Sequence, residues 1–112
     1  MRKTHPYEVN VMIPDDVYVR KAIAGDDEAF DALVKRHRPQ IYKVAHQMLS
    51  NPKDTADATQ ETFVKGREHI KAFQGRTEFG TWIYRIAVNL CHEYNRSVNR
   101  FAGEVFESPS EW

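Results

Sequence analysis

The sequence predicts an all-α fold: a compact bundle of three main helices preceded by a short one. Apolar residues recur at three- and four-residue spacing over most of the chain. No segment alternates with period two over the length of a strand. Residues suited to helix starts, among them Asp26, Pro52 and Thr77, stand between the periodic runs.

The elements follow in order. Residues 1–14 contain Pro6 and Pro14, show no clear period, and read as a flexible leader. Asp15 and Asp16 are placed to cap a short helix running to Ala24, which Gly25 ends. Asp26 and Asp27 open a second helix, whose apolar positions Phe30, Leu33, Val34, Ile41, Val44, Ala45, Met48 and Leu49 share one face. Pro39 removes a backbone hydrogen bond inside that pattern, so a kink or break is expected near Arg38. Ser50, Asn51 and Pro52 end this element and start the next.

The third helix is expected over about residues 53–72, with Ala56, Thr59, Phe63, Gly66, Ile70 and Phe73 facing inward. That face looks poorly filled, because Thr59 and Gly66 offer little to pack. Gln74, Gly75 and Arg76 make a short loop. Thr77 can cap a fourth helix ending near Asn99, with Phe79, Trp82, Ile83, Ile86, Ala87, Leu90 and Tyr94 as its apolar stripe. Residues 101–112 carry Gly103, Pro109 and three glutamates, and read as an acidic linker or tail. The domain proper is thus residues 15–100.

Composition excludes several classes. With 41% hydrophobic residues, six Phe, five Tyr and two Trp, the chain is not wholly disordered. It has no apolar run of about eighteen residues, so no membrane partner is expected. No apolar stretch follows Met1-Arg2-Lys3, so no signal peptide is read and the expected location is cytoplasmic. The single Cys91 cannot form an intramolecular disulfide. His5, His37, His46, His69 and His92 include no pair at i, i+3 or i, i+4, so neither a metal nor another cofactor is expected. Cys91, His92 and Glu93 are consecutive and diverge on a helix, and no phosphate-binding glycine loop is present. The chain is not expected to be an enzyme.

Net charge is zero, but it is unevenly spread: −3 over residues 1–32, +6 over 33–100 and −3 over 101–112. The basic centre is either an ordinary solvated surface or a face for a polyanion. Two helix faces are left over from packing. On the third helix, Asp57, Gln60, Glu61 and Val64 form a stripe that is either solvated surface or a docking face for a basic partner helix. On the fourth, Tyr84, Arg85, Val88, Asn89, His92 and Arg96 lie away from the Trp82 stripe. They are either mixed surface or a nucleic-acid face, on which tyrosine stacks a base, arginine meets phosphate and asparagine pairs with base edges. The preceding glycine-bearing loop could enclose a base taken out of its stack.

These residues carry a family resemblance. Asp57-Ala58-Thr59-Gln60-Glu61-Thr62-Phe63, then Phe73-Gln74-Gly75, then Phe79-Gly80-Thr81-Trp82-Ile83-Tyr84-Arg85-Ile86-Ala87-Val88-Asn89 resemble region 2 of bacterial extracytoplasmic-function (ECF) sigma factors. Asp26-Asp27-Glu28-Ala29-Phe30, with Leu33 and Val34, looks like the start of the same domain. The resemblance spans about residues 16–100. It departs from the family pattern at Ala58, a larger aliphatic in relatives, and at Gly66-Arg67, where an aromatic usually follows a small residue. Gln74 and Arg76 depart too, standing where an arginine and an acid are common.

The resemblance implies a transcription initiation factor domain with two faces. Asp57, Gln60, Glu61 and Val64 would dock on the clamp helices of the RNA polymerase β′ subunit. Phe73, Gln74, Gly75, Arg76, Thr77 and Glu78, with Tyr84, Arg85, Val88 and Asn89, would recognise and melt the promoter −10 element by capturing a base of the non-template strand. It also implies a possible anti-sigma partner and a second domain reading the −35 element. This chain is then the first domain of a longer protein, or a protein that works without the second. The rival reading is a helical interaction module or decoy that binds polymerase or a regulator but not DNA.

Overall fold

The computed structural model describes residues 13–105, which form α1 (Asp15–Ile23), α2 (Asp27–Leu49), α3 (Pro52–His69), a 3-10 turn (Ile70–Ala72) and α4 (Phe79–Val105). The helix signals operate with small differences. Asp15 and Asp16 lie within the first turn of α1, where the helix dipole favours carboxylates, and Pro14 is the flanking residue. Gly25, at φ +105°, turns the chain in the left-handed region after α1. Asp26 caps α2, its Oδ1 accepting from the N–H groups of Glu28 (3.1 Å) and Ala29 (3.2 Å). The Asn51 side chain accepts from the Asp54 N–H at 3.0 Å, with Pro52 in the first turn of α3.

Of the kink or break expected near Arg38, the break does not occur: α2 runs unbroken through Pro39 for 23 residues. Pro39 is exposed, while Leu33, Ile41 and Ala45 on the same helix are buried. Packing of that face outweighs one lost backbone bond.

The buried side of α3 also differs from the expected one. Ala56 is exposed, and Thr55, Ala58 and Thr62 join Thr59, Phe63 and Gly66 inside. The cause is that α3 packs against both α2 and α4, so its buried arc is rotated and widened. Thr59 and Thr62 are tolerated there because Thr59 Oγ1 donates to the Thr55 carbonyl (2.8 Å) and Thr62 Oγ1 to that of Ala58 (2.7 Å), whereas Thr55 Oγ1 is buried without a partner among the described residues. Nor is the face underfilled at Gly66, since Ile83 and Phe30 close in on its α-carbon. Arg67 lays its guanidinium 4.7 Å over the Phe30 ring. It also donates to Asp27 (2.9 Å) and Asp31 (2.7 Å), tying α3 to the start of α2.

The main core gathers Tyr18, Phe30, Leu33, Ile41, Phe63, Phe79 and Ile83 from all four helices. A smaller cluster, Ala45, Ala58 and Cys91, joins the far halves of α2, α3 and α4. Cys91 is fully buried there. At the other end, Asp15 accepts from Arg36 and pairs with His37, both at 2.7 Å, and Arg36 also donates to the Ile13 carbonyl. Ile13 packs on the main core, so the chain is already held at this point. The rest of the expected leader, residues 1–12, lies outside the described residues. Helix α4 passes the end expected near Asn99 and continues to Val105, while the tail reading for residues 106–112 falls outside the described residues.

Candidate nucleic-acid interface

The loop between the 3-10 turn and α4 is built on aromatic residues. The Phe73 N–H donates to the Ile70 carbonyl (3.1 Å), which ends the turn. Phe73 is half-buried, with its ring centroid 5.0 Å from that of Trp82 and 6.4 Å from that of Phe79. Phe79 and Trp82 are 5.7 Å apart, and Phe79 meets Phe30 edge-on at 6.2 Å. This cluster anchors both ends of the loop in the core. Between them Gln74, Gly75, Arg76 and Glu78 are exposed and Thr77 is half-buried. Gly75 turns at φ +74°, with nothing within 4 Å of the place a Cβ would occupy.

Thr77 does not cap α4. Its hydroxyl donates to the Glu78 carbonyl at 3.3 Å, and the helix begins two residues later at Phe79. The first turn is closed by the Trp82 N–H donating to that same Glu78 carbonyl (3.0 Å). Gly80 lets α4 approach α2 closely, since a Cβ there would stand 3.1 Å from Cε1 of His37.

Along α4, Arg85, Asn89, His92 and Arg96 are exposed at i, i+4, i+7 and i+11, which places them on one stripe. Tyr84 is also exposed, at 42%, but sits about 100° around the helix from Arg85. Val88 is half-buried between the two edges. Phe79, Ile83, Ala87 and Leu90 are buried on the opposite side, and Trp82 is half-buried at its margin. The expected outward residues therefore form one polar stripe and one tyrosine edge.

On α3, Asp57, Gln60, Glu61 and Val64 are all exposed, Val64 at 48%. Lys53 bonds Asp57 at 3.1 Å, and this hydrogen bond and charge hold its ammonium above the ordinary lysine range. Tyr94 on α4 is pushed up by burial first, then by Glu61, Asp57 and Asp54. The α3 face is thus an acidic surface with one apolar side chain at its end. Among the described residues no group of His, Cys, Asp and Glu is placed to hold a metal ion. Among them, too, no helix is long and apolar enough to cross a membrane.

Two features had no local signal in the sequence. One is the Arg67 clamp, whose partners lie 36 and 40 residues away. The other is that α1 stands beside the loop and, with it, walls a groove of about 780 Å³.

The four-helix domain thus carries an acidic face on one helix and a basic, tyrosine-edged face on the next. Residues 33–101 match Sigma-70 region 2, and the chain belongs to that family. It is 35% identical over 82 residues to the ECF RNA polymerase sigma-E factor of Haemophilus influenzae, covering 73% of this chain and 43% of that protein. It is 35% identical over 72 residues to the ECF RNA polymerase sigma factor SigW of Bacillus subtilis, covering 64% of this chain and 38% of that one. The chain therefore spans less than half the length of these two relatives. Among solved structures it is similar to an engineered region 2 of sigmaE in complex with GTAAAA. That match has 29% identity and a TM-score of 0.73, and covers 88% of this chain and 99% of that one. The fold is also that of CnrH, solved in complex with the cytosolic domain of CnrY. Here the identity is 23% and the TM-score 0.67, covering 87% of this chain and 68% of that one.

Proposed function

We propose that this domain binds core RNA polymerase through α3 and opens promoter DNA through the loop and α4. On α3, Asp57, Gln60 and Glu61 offer carboxylates and an amide to arginines of the β′ clamp helices, and Val64 supplies an apolar contact. On the other face, the loop 73–78 encloses a base extruded from the non-template −10 strand. Arg85 and Arg96 neutralise phosphates, Asn89 reads a base edge, and Tyr84 with Val88 stacks on an unpaired base.

Energetically, base stacking of about 1–3 kcal/mol per base offsets the few kcal/mol needed to unpair and unstack it. The domain performs no bond chemistry of its own and acts in the cytoplasm. A regulator of anti-sigma type would cover the same exposed faces.

The observation that carries this reading is the likeness to a region 2 bound to GTAAAA, together with the exposure of Arg85 and Asn89. The test is promoter opening by core polymerase supplied with this chain. Arg85→Ala and Asn89→Ala should abolish opening and leave polymerase binding intact, and Glu61→Arg should abolish polymerase binding. Opening that is unaffected by Arg85→Ala and Asn89→Ala would favour a module that holds polymerase without touching DNA.

A further inference from the structure

We propose that α1 supplies the wall of the base pocket that discriminates between bases, through Asp16 and Arg20. The proposal rests on the reading that the loop captures a single-stranded base. It goes beyond that reading, because α1 precedes the residues that match Sigma-70 region 2.

The groove between α1 and the loop has the build of a nucleobase site. Half-buried Ile23 on α1 and Phe73 on the loop side give it apolar surface, over the buried Val19 and Phe79. Phe73 and Phe79 are already fixed by their ring contacts with Trp82, so binding orders little that is not ordered beforehand. At about 780 Å³ the groove falls within the range of small-ligand sites. Asp16 and Arg20 add a polar wall, one turn apart on α1.

These two side chains are suited to reading a base edge. Their carboxylate and guanidinium lie 3.3 Å apart, presenting an acceptor beside a donor. A base edge likewise sets donors and acceptors side by side, in an order that differs between bases. Both side chains are well exposed, at 70% and 68%, so they can exchange their mutual contact for contacts to a base. The neighbouring Asp15 is not available for this, because both its oxygens are engaged by Arg36 and His37. The acid that faces the groove with an exposed carboxylate on α1 is therefore Asp16.

The test is anisotropy titration of the full 112-residue chain with labelled single-stranded hexamers. The starting strand is GTAAAA, and each position in turn carries all four bases. The wild type should prefer one base by about tenfold at one position or more. Asp16→Asn and Arg20→Ala should each cut that preference to under about threefold at a single shared position and leave the other positions unchanged. Thermal melting should show both variants folded as the wild type.

Preferences unchanged at every position would overturn the proposal and leave the loop reading standing. So would an affinity loss equal for all bases, which would make Arg20 a phosphate contact only. A wild type that binds all hexamers alike would overturn both.

Discussion

Ile83 of α4 places its Cδ1 2.7 Å from the point where a Cβ on Gly66 of α3 would stand. The two helices approach that closely only because residue 66 has no side chain. Phe30 Cζ, from α2, lies 3.4 Å from the same point, so three helices meet there.

Gly66→Ala should therefore destabilise the domain although alanine is the better helix former. Overpacking a filled core costs about 1–3 kcal/mol, against a propensity gain of about 1 kcal/mol. Ile83 is fully buried, so its methyl group has little free room to move into. Urea unfolding should show a net loss of up to about 2 kcal/mol. In an Ile83→Val background, which removes Cδ1, the same alanine should become neutral or stabilising, and persistence of the full loss there would disprove the packing account.

Arg67→Ala should cost about 1 kcal/mol, from the lost cation–π contact with Phe30 and two half-exposed ion pairs. Because the ion pairs are solvent-accessible, part of this loss should disappear at 1 M salt. Paired melting curves at low and high salt measure it. A loss independent of salt would assign the whole effect to packing on the Phe30 ring.

Burial holds the Cys91 thiol above its usual value of 9.0. A native thiol that ionises later than the unfolded one favours the folded state below the ordinary value. That contribution fades as pH rises past about 9 towards the raised native value. Unfolding free energy should fall over this interval, and fall less in Cys91→Ala than in the wild type. A thiol-reactive dye should label the native protein far more slowly than the urea-unfolded chain. Equal labelling rates would contradict the burial.

Much of the fold was legible because it depends on local rules. The start of α2 at Asp26, the Ser50-Asn51-Pro52 junction and the apolar stripe of α4 each follow from residues within one or two turns. The exposed faces were legible for the same reason, since a helical period that places Ile83 and Leu90 inside leaves Arg85 and Asn89 outside. No break forms at Pro39 because the packing that overrides its local cost is tertiary. Ala56 misled because one stripe was read where α3 has two neighbours, and Gly66 because an absent side chain looked like an absent contact. The α1 wall of the groove and the Arg67 clamp join residues distant in sequence, and no periodicity records such pairs.

The role proposed for the exposed side of α4 and the adjoining loop is to grip a separated DNA strand. Its most direct test is to titrate this chain with labelled GTAAAA as a single strand, as a duplex, and as a scrambled single strand, at several salt concentrations. Binding should be tightest to the unscrambled single strand, with an affinity that falls with salt at a slope of about −0.7 per phosphate contacted. Arg85→Ala should make that slope shallower by about one contact. Equal affinity for all three DNAs, or a salt slope untouched by Arg85→Ala, would contradict it.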